Sequence, residues 1–107
     1  MSATIQKLYW HDGNLIGVAF AIDAKGKTSV TLSAAFYRDE QARSRDNYEI
    51  SCNDVSSFTS TLDSAELREN NRAGNISQGY MKEKTLWVYF ADGILKVSAR
   101  RFRLVKC

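Results

Sequence analysis

The sequence contains no proline, one histidine and two cysteines in 107 residues. Without proline, the chain has to be reversed by glycine, Asn and Asp. Cys52 and Cys107 are too few for a disulfide framework. They could pair with each other only in an oxidising compartment, which is the less favoured arrangement. One histidine and two separated cysteines cannot supply a zinc site, so no metal and no other cofactor is expected.

The sequence also lacks a long apolar run. No stretch approaches the roughly 20 residues that span a bilayer. The best candidate for a signal-peptide core is Leu15 to Ile22, but a polar segment at 11–14 precedes it and the only basic residue before it is Lys7. A signal peptide needs a basic start joined to its apolar core. We therefore expect a cytoplasmic protein that does not bind a membrane.

Charge of one sign is only slightly in excess. The 15 basic and 12 acidic residues give a formal net charge of +3. A dedicated nucleic-acid binder usually carries a stronger basic footprint. Hydrophobic residues make up 44% and charged residues 25% of the chain, which is typical of a globular protein. The length predicts a single domain over residues 1–107.

Apolar residues alternate with polar or small ones through most of the chain, which predicts half-buried β-strands. The alternation covers residues 14–23, 28–38, 48–52, 86–90 and 94–105. In the first of these strands, glycine and alanine alternate with larger apolar residues on the other face: Ile16, Val18, Phe20 and Ile22.

The last strand changes phase along its length. Leu95, Val97 and Ala99 share one face, but Phe102 and Leu104 follow in the other phase. A β-bulge adds one residue to one strand and would restore the inward face, so we predict a bulge near Arg100.

One segment predicts a short helix. Asp63 is a suitable N-cap, Glu66 completes a capping box, and Leu62 and Leu67 occupy the positions of a hydrophobic staple. Gly74 can end the helix with a positive φ. The hydrophilic segments 38–47 and 71–84 lack periodicity and are expected to be loops, with Gly79 as a turn residue.

These patterns together predict a mainly β fold. We expect a single antiparallel sandwich or partly open barrel of six to seven strands, with one short helix between its halves. Strands and helices do not alternate, so a parallel sheet is not expected.

The only histidine lies in the segment Tyr9-Trp10-His11-Asp12-Gly13-Asn14. Asp-Gly between apolar runs is a strong hairpin signal, and it recurs at Asp92-Gly93, where alanine takes the place of His11. His11 and Asp12 could form a general base with its orienting carboxylate, but adjacent residues at a strand end point apart. We therefore interpret the segment as a turn and predict no catalytic residue.

The C-terminal run from Lys96 to Lys106 contains Arg100, Arg101 and Arg103 and no acidic residue. It could be a basic stripe that binds phosphate or an acidic protein. Alternatively, these side chains could protect an exposed edge strand from pairing with other chains.

Trp87 and Tyr89 share the strand face opposite Leu86 and Val88. They could form a contact site if that face is exposed. If the strand is covered on both sides they belong to the core, which is the reading we favour because aromatic residues dominate burial in small domains.

The sequence identifies no specific activity. We expect a small, non-enzymatic, bacterial binding protein whose partner is another protein; an immunity or antitoxin-like inhibitor is a narrower alternative. A second hypothesis is a ligand- or nucleic-acid-binding β-domain. A homodimer is a further alternative, because an exposed terminal strand can pair with the same strand of a second copy. The candidate binding residues are Lys96, Arg100, Arg101, Arg103, Trp87 and Tyr89.

Overall fold

A computed structural model describes residues 5–61, 74–91 and 93–107. The described chain is mainly β, and all of its strand pairs are antiparallel, which confirms the predicted class. The six strands are β1 (Gly13–Ile22), β2 (Thr28–Phe36), β3 (Asp46–Ser60), β4 (Asn75–Lys82), β5 (Thr85–Phe90) and β6 (Gly93–Lys106).

The strands form one sheet whose order, β1-β2-β3-β6-β5-β4, closes on itself as a barrel. The closing contact is short, because β1 and β4 pair only as Gly13 with Ile76 and Asn14 with Asn75. Beyond this contact the two antiparallel strands run away from each other. The remainder of β1 therefore has a strand partner on only one side within the described residues.

The core lies inside this curved sheet and is built from alternating positions of its strands. β2 contributes Val30, Leu32, Ala34 and Phe36, all buried as the alternation predicts. β5 contributes Leu86, Val88 and Phe90 in the same way. The burial of these regularly spaced side chains supplies the main driving force for folding.

The apolar face of β1 is exposed, although its alternation predicts a half-buried strand. Val18 and Phe20 pair with the buried Leu32 and Val30 of β2. Residues that pair directly across an antiparallel ladder point to the same side of the sheet. Val18 and Phe20 thus point to the core side, but they extend beyond the part of the sheet that covers it.

β4 is a strand that the sequence prediction missed, since residues 71–84 were expected to form a loop. Only Ile76 and Met81 of β4 are buried. The register shifts between Ile76 and Gln78, so the two buried residues are an odd number of positions apart and the alternation is concealed.

Gly79 is not a turn residue, as predicted, but lies within β4 against Trp10. A Cβ at position 79 would overlap Cδ2 and Cε3 of the Trp10 indole. Trp10 is buried and makes an edge contact with Phe36, with ring centroids 5.1 Å apart. Trp10 therefore packs into the space that the missing side chain of Gly79 leaves open. The indole Nε1 of Trp10 has no hydrogen-bond partner within the described chain.

The predicted phase change in β6 is present. Ala99 and Phe102 are buried, and the two residues between them, Arg100 and Arg101, are both exposed. The register shift in this region lies on the other strand, between Val55 and Ser57 of β3. The prediction of a bulge near Arg100 was thus wrong about which strand carries the extra residue.

Of the two Asp-Gly hairpins, one is confirmed and one is wrong. β5 and β6 pair up to Phe90 and Gly93, although residue 92 lies outside the described residues. No strand precedes Asp12 within residues 5–12. Trp10 to Gly13 form a turn instead, in which the Gly13 N–H donates to the Trp10 carbonyl at 3.0 Å and Asp12 has a φ of 63°.

Two further expectations concern the edge of β6 and the predicted helix. β6 pairs with β3 from Leu95 to Lys106 but with β5 only from Gly93 to Ser98. Beyond Ala99, one side of β6 therefore has no strand partner among the described residues, and Arg100, Arg101 and Arg103 lie along this edge, as the edge-protection alternative expects. The predicted helix at 63–74 falls outside the described residues except for Gly74. Within the described ranges, no helix is long and apolar enough to span a membrane.

We expect the substitution Gly79→Ala to lower the free energy of unfolding by about 1–3 kcal/mol, the usual cost of overpacking a core. The added methyl group would force the Trp10 ring out of its position. Chemical denaturation monitored by tryptophan fluorescence measures this change.

Gly17→Ala in β1 is the matched control, since no atom lies within 4 Å of a Cβ at that position. Its free energy of unfolding should be unchanged or slightly higher, because alanine restricts the unfolded chain more than glycine does. Equal losses in both variants would contradict the role assigned to Gly79.

Candidate functional site

The outer face of β4, β5 and β6 carries three aromatic rings, each of which neighbours the other two. Tyr80 pairs with Trp87 across the two strands, and Tyr89 lies two residues farther along β5. The rings of Tyr80 and Trp87 are 6.1 Å apart at an interplanar angle of 16°, and those of Trp87 and Tyr89 are 6.5 Å apart at 7°. We call Tyr80, Trp87 and Tyr89 the aromatic row.

The aromatic row lies outside the core, so the interpretation of Trp87 and Tyr89 as core residues is wrong. Both residues are half-buried, because the rings cover one another. Lys96 pairs with Trp87 across β6 and places its Nζ 4.6 Å from the ring centroid. A cation at this distance is attracted by the electrons of the ring face.

The hydroxyl groups of the row form a polar end. Tyr80 Oη and Tyr89 Oη lie 3.4 Å apart, within hydrogen-bonding distance. This hydrogen bond, together with a smaller effect of burial, raises the pKa of Tyr89 above its ordinary value. The Tyr89 phenol therefore stays neutral at physiological pH.

A basic pocket lies at the other end of the outer face of β6. It has a volume of about 330 Å³ and is lined by Lys27, Asp54, Lys84, Arg100 and Arg101. A second depression of about 240 Å³ adjoins it and extends to Ala21 and Ile22 of β1.

The pocket concentrates positive charge. Its four cationic side chains and one carboxylate give +3, which equals the formal net charge of the whole chain. Outside this cluster, the positive and negative charges of the chain cancel.

Asp54 positions two of the four cations. Its Oδ2 accepts a hydrogen bond from Arg101 Nη2 at 3.3 Å, and its Oδ1 is 3.9 Å from Lys27 Nζ. Asp54 has a φ of 55°, a left-handed conformation that Asp adopts more readily than most residues. Lys84 and Arg100 have no ion-pair partner within residues 5–61, 74–91 and 93–107, so they remain available to an external anion.

The predicted binding residues fall into two groups on this face. Trp87, Tyr89 and Lys96 belong to the aromatic row or contact it, and Arg100 and Arg101 line the basic pocket. Arg103 is exposed opposite Ser51 and does not line the pocket.

Four residues of the two features were not predicted: Tyr80, Lys27, Lys84 and Asp54. Tyr80 was missed because it lies on the unrecognised strand β4. The other three come from loops and strands that only the fold brings together, and no sequence spacing connects them.

His11 and Asp12 lie away from both features. Their side chains do approach each other, with Nε2 3.5 Å from Oδ2, contrary to the expectation that they point apart. The difference arises because they occupy a turn and not a strand end. The His11 side chain is 64% exposed.

No group of three or more potential metal ligands (His, Cys, Asp or Glu) occurs in the part of the chain that the structure describes. The two cysteines are both free, with Cys52 buried and Cys107 exposed. Burial raises the pKa of the Cys52 thiol from 9.0 to about 12. Because the thiolate is the nucleophile, Cys52 is unsuited to covalent catalysis.

We expect one rapidly reacting thiol per native chain, that of Cys107. Titration with Ellman's reagent at pH 8 should label the second thiol only after denaturation. The variant Cys107→Ser should therefore show no rapid phase in the native state, and a rapid phase that persists in this variant would contradict the burial of Cys52.

The pKa of Cys52 also predicts how stability depends on pH. In the unfolded chain the thiol loses its proton above about pH 9, whereas in the native state it keeps it until about pH 12. The free energy of unfolding should therefore fall as the pH rises from 9 to 12. Cys52→Ala should lack this contribution, and identical pH profiles for the two proteins would contradict it.

Comparison with known proteins identifies no family. No family model and no curated protein matches the chain. One solved structure, the crystal structure of an uncharacterized protein from Neisseria gonorrhoeae, is similar at 16% sequence identity and a TM-score of 0.49, covering 92% of this chain and 94% of that one.

Proposed function

We propose that this chain is a non-enzymatic binding protein whose partner is another protein. The proposed contact surface is the outer face of β6, with the aromatic row at one end and the basic pocket at the other. The observation that carries the proposal is that two cations without an ion-pair partner among the described residues, Lys84 and Arg100, share this outer face with the aromatic row.

The aromatic row supports a protein partner. Tyrosine, tryptophan and arginine are enriched where proteins contact each other. The rings of the row are held by their neighbours and by Lys96, so little side-chain entropy would be lost on binding. Because the half of β6 beside the row pairs with β3 on one side and with β5 on the other, the row also has a rigid support.

The basic pocket supports an acidic partner surface. Lys84 and Arg100 lack an ion-pair partner among the described residues, and Arg101 is held in place by Asp54. Complementary charge mainly increases the rate of association and the specificity of a complex. A carboxylate-rich patch on the partner would therefore be recognised through the pocket and the row together.

Nucleic acid is the second candidate, because single-stranded nucleic acids bind to basic grooves that contain aromatic side chains. The arrangement of the aromatic rings favours a protein partner over a nucleic acid. The rings stack on one another and Lys96 lies over Trp87, which leaves less ring face for a base to stack on.

A narrower proposal is a bacterial immunity or antitoxin-like inhibitor acting in the cytoplasm. The two free cysteines support a reducing compartment. The size of the domain suits an inhibitor that binds a single partner. An adjacent gene that encodes a toxin blocked by equimolar amounts of this protein would support the proposal, whereas a neighbour of unrelated activity that is not inhibited would count against it.

We expect the double substitution Lys84→Glu with Arg100→Glu to weaken partner binding at least tenfold, because it reverses the two charges of the pocket that have no ion-pair partner among the described residues. Affinity purification of the tagged protein from its native cells, with nuclease treatment and quantitative mass spectrometry, should recover one stoichiometric protein with the wild type. Binding of the purified pair can then be measured by calorimetry.

Arg43→Glu with Lys25→Glu is the matched control, because it makes the same charge change at exposed positions that do not line the pocket. Binding should be nearly unchanged. If nuclease treatment abolished recovery of the partner protein, a nucleic acid would be the favoured partner. The same would follow if the chain bound an oligothymidylate with an affinity that falls steeply with salt. Equal losses in both double variants would contradict a role for the pocket.

A further inference from the structure

β1 combines a large exposed apolar surface with an edge that, beyond Asn14, has no strand partner among the described residues. The exposed fractions are 59% for Ile16, 42% for Val18, 55% for Phe20 and 65% for Ile22. Of the five large apolar residues that are exposed in the described chain, four lie on this strand. Contiguous apolar surface of this kind usually marks an interaction site.

Within the described residues, the edge of β1 from Gly17 to Ile22 lacks the features that usually prevent another strand from pairing with it. Soluble proteins usually protect an edge with charged residues, proline or short strands. The ten residues Gly13 to Ile22 contain no charged residue and no proline. Its register shift between Leu15 and Gly17 lies near the start of the strand, so residues 17–22 are regular.

The sequence of β1 is complementary to a second copy of itself. Two antiparallel strands related by a two-fold axis perpendicular to the sheet pair residues whose numbers have an even sum, because only these point to the same side. With the axis at Ala19, Val18 lies opposite Phe20 of the other copy, and the reverse pair repeats the contact. Gly17 lies opposite Ala21 in the same way, so large residues meet large ones and small residues meet small ones.

We propose that β1 is a dimerisation strand that pairs with β1 of a second copy in this register. The dimer interface joins the two sheets edge to edge and covers Val18 and Phe20 on the core side. Ile22 of each copy comes near Ile16 of the other at the ends of the paired segment. The contact is isologous, as in most two-fold dimers.

A second copy of the chain fits this edge because the strand carries no charged residue and is complementary to itself. A partner of different sequence would need its own uncharged strand with the same alternation, whereas a second copy supplies it at every encounter. No like charges oppose each other along the paired segment, since it contains none.

The small size of the contact determines the affinity that we expect for the dimer. The free edge from Ile16 to Ile22 is about 20 Å long at roughly 3.3 Å per residue. One strand pair covers less than the roughly 800 Å² per partner of a standard interface. We therefore expect reversible association, with a dissociation constant in the micromolar range.

Sedimentation equilibrium over a thousandfold range of concentration tests the proposal. The purified wild-type chain should shift from a mass of 12.1 kDa to twice this value. Phe20→Lys should weaken association at least tenfold, because two lysines would be placed against the apolar face of the partner strand.

Val105→Lys is the matched control. Val105 is also an exposed apolar residue, at 38%, but it lies on β6 away from the edge of β1. The control should dimerise like the wild type, and circular dichroism should show that both variants are folded. A wild type that stays monomeric at every concentration, or a dimer that Phe20→Lys does not weaken, would overturn the proposal.

Hydrogen exchange distinguishes the occupants of the edge. A second copy predicts that protection of the amides of residues 17–22 rises with protein concentration. Protection that is high and independent of concentration would show that another part of the same chain covers the edge, and protection that appears only with a different protein would show a heterologous partner. Either result would overturn the dimer.

Discussion

The barrel closes through a short contact between β1 and β4. Two residue pairs, at Gly13 and Asn14, close the strand order, and the two strands then separate in opposite directions. Beside β4, the gap is filled by Trp10, which packs on Gly79. Beside β1, the ring of Phe58 lies 6.4 Å from that of Phe20, but Val18 and Phe20 are still 42% and 55% exposed on the core side. The same stagger thus produces both a sealed part of the barrel and an open edge.

The basic pocket results from a second local irregularity, the change of phase shared by β3 and β6. In a regular strand, Arg100 and Arg101 would point to opposite faces, and one of them would be buried. Here both are exposed, while Asp54 on β3 adopts a left-handed conformation and holds Arg101. The pocket therefore needs no change in the apolar core, because Ala99 and Phe102 are both still buried on either side of it. Two neighbouring cations on one face are a consequence of the strand geometry.

Periodicity predicts which side of a strand a residue lies on, and this is why the fold class and β2, β5 and β6 could be predicted. Periodicity contains no information on whether that side is covered. β1 was therefore correctly predicted to be a strand, but its apolar face was wrongly expected to be buried. β4 was missed for a different reason. Its register shift separates Ile76 from Met81 by an odd interval, and the packing at Gly79 depends on Trp10, which is distant in sequence. Within the candidate site, residues of the long run from Lys96 to Arg101 were predictable as a group, whereas Lys27, Asp54 and Lys84 are assembled only by the tertiary fold.

The two proposed surfaces are connected through the geometry of a two-fold axis. An axis perpendicular to the sheet keeps the outer faces of both copies on the same side. The depression beside the basic pocket reaches Ile22, and with the axis at Ala19 the two Ile22 residues are about 20 Å apart along the paired strands. The two basic pockets would then lie at opposite ends of one continuous face, within reach of one partner with two acidic patches. Because the second contact of such a partner is intramolecular, its binding would be stronger than that of either pocket alone. Weak pairing through β1 would thus be sufficient to increase binding at the pockets, and a partner that contacts both pockets would in turn stabilise the dimer by linkage.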